Sequence, residues 1–304
     1  MDEALSPADR PARLSVGVIG TGRVGAVLGA ALRRAGHTVV AVSAVSEASR
    51  NRAEELLPGV PLADPQAVAE HADLLLLTVP DDALSDLVTG LAETGTVTAG
   101  QIVVHTSGRY GYSVLEPALQ AGALPLALHP VMTFTGTSVD LDRLVGCSFG
   151  VTAPDALRPM AEALVVEMSG EPEWIEEQRR PLYHAALAIG ANHLVTLVAE
   201  AQDLLARAGV EHPSRMLGPL LGAALDNALR SGDAALTGPV ARGDAGTVAV
   251  HISELSHVSR EALAAYLAMS RLTADRALAA GLLDPARAEQ LLDVLADRAN
   301  GARA

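Results

Sequence analysis

Three glycines set the first chemical question. Gly20, Gly22 and Gly25 lie in the run Gly20-Thr21-Gly22-Arg23-Val24-Gly25, after a short apolar stretch and before a run of small and apolar residues. Between a strand and a helix this spacing suits a pyrophosphate. The first glycine makes the tight turn, the second lets phosphate oxygens reach the backbone, and the third lets the helix pack close to the strand. The amides at the start of the helix then face the anion. An acidic contact to the ribose of NAD is expected about 20 residues further on, at the end of the next strand. That end reads Val40-Ala41-Val42-Ser43, and the first carboxylate is Glu47. Ser43, Ser46, Arg50 and Arg52 stand there instead. Hydroxyls and a guanidinium suit a 2′-phosphate, so the expected cofactor is NADP, with Ser43 and Arg50 among its contacts.

Proton chemistry needs a different set. Imidazole exchanges protons near neutrality, and His105, His129 and His184 are candidates, with Ser107 and Asn192 as hydrogen-bonding partners. His129-Pro130 and His105-Thr106-Ser107-Gly108 each end an apolar run, where doubly wound sheets bind ligands. His184, Ala188 and Asn192 are four apart and share one face of a predicted helix. Over that span an ideal helix rises about 12 Å, enough for His184 and Asn192 to line one cleft without gripping one atom. Packing and loop-shaping roles for His184 and His129 compete with these readings, and His193, on the opposite face from His184, reads as structural. Thr133, Thr135 and Arg242 are candidates to meet a substrate carboxylate. His251, Glu254 and His257 make a poor metal set, since the two histidines are not i, i+4 and no further ligand follows. No metal is expected.

These residues require a particular scaffold. Short apolar runs at 14–19, 38–42, 73–79, 101–105, 125–129 and 147–152 read as buried strands. Helical stretches at 24–35, 46–57 and after Pro80-Asp81-Asp82 alternate with them, which predicts a doubly wound parallel sheet. From Pro181 the helical period takes over: Pro181–Ala208, Ser214–Arg230, Asp244–Ala280 and Pro285–Ala299, with a Gly/Pro-rich loop at Thr237–Gly243. The expected division is a disordered tail over 1–12, a Rossmann domain over 13–178 and an all-helical substrate and dimerisation domain over 179–304.

Composition narrows the function. The 304 residues carry a net charge of −14, which argues against nucleic acid. The basic side chains are all arginine, so no lysine base or Schiff base is available. The single cysteine, Cys147, reads as a buried structural thiol and allows no internal disulfide. No signal peptide is apparent, and the uninterrupted apolar runs are too short to span a bilayer, so the expected location is cytoplasmic, without membrane contact.

The segments Gly20–Gly25, Ala72–Asp81, His105–Gly108 and His129-Pro130, followed by a long helix, resemble the 6-phosphogluconate dehydrogenase-like superfamily. It includes ketopantoate reductase, 3-hydroxyacid dehydrogenases and pyrroline-5-carboxylate reductase, and the nearest resemblance is to an uncharacterised bacterial Rossmann-like branch. The resemblance implies a nicotinamide near Val79 and Pro80, a substrate-binding Ser107-Gly108 loop and a homodimer formed through the helical domain. It also exposes a departure. The hydroxyacid dehydrogenases and ketopantoate reductase place a lysine on the first long helix, four residues before an asparagine. Here that position is Ala188 or His184, depending on which asparagine Asn192 matches. The expected function is therefore NADP-dependent hydride transfer with a small carbonyl or imino acid, with His184, or a water held near Ser107 and Asn192, as the proton donor. The alternatives are a non-catalytic dinucleotide sensor or docking protein, and hydride exchange between NADP and a deazaflavin.

Overall fold

The computed structural model describes residues 13–301, with side chains through residue 296. The tail expected over 1–12 lies outside the described residues. The chain divides into two compact units, the first ending at Asn192 and the second starting at His193.

The first unit is built on a seven-stranded sheet in the order β2-β1-β3-β4-β5-β6-β7. The strands are β1 (Ser15–Ile19), β2 (Thr38–Ser43), β3 (Leu74–Leu77), β4 (Ile102–His105), β5 (Leu124–Pro130), β6 (Ser148–Thr152) and β7 (Glu171–Trp174). Its helices are α1 (Arg23–Arg34), α2 (Glu47–Leu56), α3 (Pro65–Glu70), α4 (Asp81–Glu93), α5 (Glu116–Gln120), α6 (Val139–Arg143), α7 (Arg158–Glu167) and α8 (Arg180–Leu187). Strand β3 shows why continuous apolar runs form the centre. Leu74 and Leu76 join the core shared with Val27, Leu28 and Leu32 of α1. Leu75 and Leu77 join the opposite core with Leu84, Val88 and Leu91 of α4. Side chains alternate across a strand, so a sheet covered on both faces must be apolar at every position.

Strands β1 to β5 are parallel, and register aligns Ile19 with Leu77, Leu77 with His105, and His105 with Ala127. The loops after Ile19, Leu77, His105 and Pro130 thus share one edge. The order reverses between β1 and β3, the switch point where such sheets bind ligands. The sheet departs from the expected parallel arrangement at β6, which runs antiparallel to β5 and places Gly150 opposite His129. A buried apolar strand looks the same in either direction, so its sequence carries no sign of this. Strand β7 and helix α3 are additions to the sequence reading.

The second unit contains α9 (Leu194–Arg207), α10 (Pro213–Ser231), α11 (Gly238–Ala241), α12 (Ala245–Val258), α13 (Arg260–Ala279) and α14 (Pro285–Gly301). Val248, Ile252, Leu267, Ala274, Leu291 and Leu295 form its core. The helix expected over 244–280 is two helices, because Ser259 adopts an extended conformation and caps α13 through the Ala262 amide. The helix expected over 181–208 changes character midway: Ala188–His193 is a π-helical turn. By length and composition the helical stretch Glu177–Arg207 could cross a membrane, and its apolar window is unburied. The expectation drawn from uninterrupted apolar runs overlooked it, because His184, Asn192 and His193 interrupt the run.

Candidate active site

The glycine loop is held from below. The amides of Gly20 and Thr21 both donate to the Ser43 carbonyl at 3.1 Å. The buried Thr21 hydroxyl donates to the Ser49 carbonyl at 3.1 Å. Gly20 has a φ of +97°, a conformation that favours glycine. A methyl group at Gly25 would collide with the Gly20 carbonyl and the Thr78 hydroxyl. The close packing of α1 against the loop therefore depends on that glycine. Gly22 is different: a methyl there would have no neighbour within 4 Å. It caps α1, whose first turn carries no acidic residue. Loop and helix start thus form an open cradle of amides that fits a pyrophosphate. Thr21 and Ser43 serve the cradle from behind; the Ser43 side chain is buried. Val79 is half-buried and Pro80 exposed at the start of α4.

The three arginines near the loop differ. Arg50 is exposed on α2, and Arg52 is half-buried. A methyl at Gly136 would lie 2.8 Å from Arg52 Nε and 3.1 Å from Arg23 Cγ. Arg23 and Arg52 therefore converge on the loop after β5. Among the described residues neither forms a salt bridge. That loop is organised by Asp140, which is fully buried and accepts from the Thr135 and Gly136 amides at 2.7 Å each. Ser46 caps α2 through the Ser49 amide. The sequence reading counts Arg50 among the cofactor contacts; in the structure Arg50 is exposed on α2, and Arg52 packs against Gly136.

A cleft of about 510 Å³ is lined by His129, Thr133, His184, Ala188 and Asn192, among others. The π turn replaces the ideal α-helix assumed for the spacing, yet His184, Ala188 and Asn192 still reach one cleft. Its lining holds no carboxylate. His129 Nδ1 lies 2.7 Å from the Tyr183 hydroxyl, and the two rings meet edge to face. The His129 and His184 rings are 6.1 Å apart, also edge to face. Gly108 completes this wall: a methyl there would sit 2.7 Å from His184 Cδ2 and 2.9 Å from His129 Nε2.

Ser107 is buried, and its Oγ accepts from the Arg109 and Tyr110 amides at 3.2 Å each. It shapes the turn that presents Gly108. His105 is also buried: its Nε2 donates to the Gly111 carbonyl at 2.8 Å and its Nδ1 accepts from the Ser107 amide. Burial pushes the His105 imidazole down to about 4. His129 is likewise down to about 4, chiefly through burial, with the Arg180 and His184 charges adding to it. Burial raises Tyr183 to about 12. At neutral pH both imidazoles are uncharged and the phenol keeps its proton.

Arg180 has no counterpart in the sequence reading. It is fully buried and donates to Thr152 Oγ1 at 2.7 Å and to the carbonyls of Gly150 at 2.8 Å, Ala127 at 3.1 Å and Ser107 at 3.4 Å. Its guanidinium carbon lies 5.6 Å from the centre of the Tyr183 ring. Beside Arg179 in the sequence it looks like a solvated charge. Tyr183 was missed too, its only signal being its place next to His184. His193 is exposed. In the second unit, His251 Nδ1 lies 3.0 Å from the Tyr266 hydroxyl. Cys147 is buried, with its thiol pushed up by burial.

Sheet, switch point and glycine loop define a Rossmann-like fold with a helical second part. The chain pairs a Rossmann-like domain, matched over residues 2–130, with a domain of unknown function, DUF2520, matched over 147–273. No curated protein matches the chain. Among solved structures, a provisionally named NADP oxidoreductase of Bacteroides fragilis is 22% identical, with a TM-score of 0.71 over 86% of this chain and 98% of its own. A Thermotoga maritima protein is 20% identical, with a TM-score of 0.65 over 87% and 98%. An imine reductase from Pseudomonas sp. is 20% identical, with a TM-score of 0.59 over 89% and 96%. At these identities the likeness is one of fold.

Proposed function

We propose that the protein is an NADP-dependent oxidoreductase that acts on a small carbonyl or imino acid. The observation that carries this reading is the open cradle at Gly22, set at the switch point of the sheet on a loop whose other contacts are internal. The amides at the start of α1 would hold the pyrophosphate, and Arg52, with Arg23 and Arg50, the 2′-phosphate. A nicotinamide dinucleotide bound there supplies the hydride. The protein's own task is then to orient the acceptor and deliver a proton. Three strand spacings of about 4.8 Å separate β1 from β5, so an extended molecule laid along the sheet edge can reach from the glycine loop towards His129. His129 and His184 are the proton-bearing side chains at the cleft. A lining free of carboxylates suits an anionic substrate. The names of the Bacteroides and Pseudomonas neighbours agree with this chemistry. The apolar side chains of Leu220, Leu225 and Leu229, exposed on α10, support a homodimer through the helical unit.

The test is a fluorescence titration with NADPH and with NADH, repeated with Arg50→Ala and Arg52→Ala. The expected result is tighter binding of NADPH, weakened about tenfold or more by loss of Arg52 while NADH is little affected. Absence of binding by either nucleotide refutes the oxidoreductase reading.

A further inference from the structure

Resting on the oxidoreductase reading, we infer that Tyr183, His129 and Arg180 form a proton relay, in which Tyr183 fixes the tautomer of His129 and refills its proton while Arg180 balances the charge left behind.

Three separate features converge on this. The first is the direction of the bond between Tyr183 and His129. Burial holds the Tyr183 phenol in its protonated form at neutral pH, and His129 Nδ1 is the hydrogen-bond partner recorded for its hydroxyl. Its own proton is therefore directed at His129 Nδ1, 2.7 Å away. The His129 proton must then sit on Nε2. The second is the place Nε2 occupies. His129 lines the cleft of about 510 Å³, with Gly108 packed against the ring, so the cleft is where a substrate atom can approach it. A carbonyl oxygen or imine nitrogen there accepts from a neutral imidazole, which polarises it without carrying a charge. The third is Arg180, a buried cation whose recorded hydrogen-bond acceptors are neutral. The Glu177 carboxylate also acts on it, from outside these hydrogen bonds, and a buried cation bonded only to carbonyl and hydroxyl oxygens is further stabilised when a negative charge appears beside it.

The relay supplies that charge. As hydride from the reduced nicotinamide dinucleotide reaches the substrate carbon, its oxygen or nitrogen takes the Nε2 proton. Nδ1 takes the Tyr183 proton in turn. One C–H of the reduced dinucleotide, one N–H and one O–H bond would break, two bonds to hydrogen would form on the substrate and one on Nδ1, and the charge would come to rest on a phenolate beside the Arg180 guanidinium. Burial lifts the phenol and Arg180 opposes it, so the phenolate forms only when a stronger base, such as an alkoxide, draws on it. The charged and titratable groups facing His129 are Arg180, His184 and Tyr183, with His105 behind them; no carboxylate is recorded among its contacts.

The experiment is nitrogen-15 NMR of the histidine side chains in the whole protein at pH 7, with His129→Gln to identify the His129 signals. The expected result is a neutral His129 protonated on Nε2, becoming a mixture of tautomers in Tyr183→Phe. A His129 protonated on Nδ1, or an imidazolium, in the unmodified protein overturns the relay. So does a tautomer unchanged in Tyr183→Phe, and a purely packing tyrosine would give that result. The first measurement needs no variant, so poor folding of Tyr183→Phe leaves the relay open to refutation. NADPH titration of the same samples separates the two ideas: binding with the wrong tautomer refutes the relay alone, and absence of nucleotide binding refutes the oxidoreductase reading.

Discussion

Gly22 and Gly25 stand three residues apart in one loop, and the structure predicts opposite outcomes when each gains a methyl group. At Gly25 the methyl would strike the Gly20 carbonyl and the Thr78 side chain, both held by β1 and β3. Backbone cannot rotate aside, so α1 must move off the sheet. Overpacking of this kind costs about 1–3 kcal/mol. For a unit of this size each kcal/mol lowers Tm by roughly 2–4 °C, giving a loss of about 2–12 °C. At Gly22 the methyl meets nothing within 4 Å, and the residue already has a negative φ of −67°. Alanine is a poorer helix cap than glycine, which limits the cost to about 1 kcal/mol. The same methyl projects into the cradle where phosphate oxygens would approach the backbone. Gly22→Ala should therefore keep a near-native Tm and lose NADPH binding, and Gly25→Ala should lose both. Thermal unfolding with nucleotide titration on the two variants reads both effects. A Gly22→Ala protein that binds NADPH as tightly as the unmodified one would refute the placement of phosphate at this loop, whatever its stability.

The other predictions concern the elements behind the site. Asp140→Ala leaves the buried Thr135 and Gly136 amides without their acceptor, at a cost of about 2–4 kcal/mol in urea unfolding, and should reduce the preference for NADPH because Gly136 backs Arg52 and Arg23. An Asp140→Ala protein of unchanged stability would contradict the role given to that carboxylate. His105 and His129 titrate near 4 in the folded protein against an ordinary imidazole value of 6.5. Between those values the unfolded chain holds more protons, so stability is full above pH 6.5 and falls towards pH 4, by up to about 3 kcal/mol per histidine. Urea unfolding at pH 7 and pH 4.5 should show a shallower acid loss in His129→Gln, and equal losses would rule out a buried neutral His129. Gly150→Ala places a methyl against the Tyr183 hydroxyl and should disturb the His129 tautomer in NMR as Tyr183→Phe does; an undisturbed tautomer would mean that Tyr183 is not seated against Gly150.

The sequence makes the first half of the sheet legible because its signals are local. Continuous leucines in β3, glycine after β1 and the Ser46 cap of α2 each act within a few residues. The phosphate loop is visible for the same reason. Strand β7, Glu-Pro-Glu-Trp, is hidden because an edge strand needs no apolar run, and its two glutamates carry no strand pattern. The π turn at 188–193 is hidden because helical periodicity changes little across one widened turn. The site is legible only as separate pieces. His129 and His184 stand out as imidazoles, but Tyr183 lies 54 residues from His129. Arg180 gains its meaning from carbonyls 30, 53 and 73 residues away. No pattern within one segment encodes a contact of that reach.

The reversal of β6 connects these pieces. Running antiparallel to β5, it sets Gly150 directly across from His129. At Gly150 any side chain would occupy the position of the Tyr183 hydroxyl. The glycine thus lets a phenol from α8 reach the imidazole on β5. One residue ahead of α8's first proline, Arg180 draws on the carbonyls of both strands, Ala127 on β5 and Gly150 on β6, and on Ser107 after β4. It fastens the start of α8 to three parts of the sheet edge at once. That fastening fixes Tyr183 and His184 to within a few ångströms of His129 and Gly108. Helix α8 carries no lysine; it brings a buried cation, a tyrosine and a histidine to the His129 imidazole.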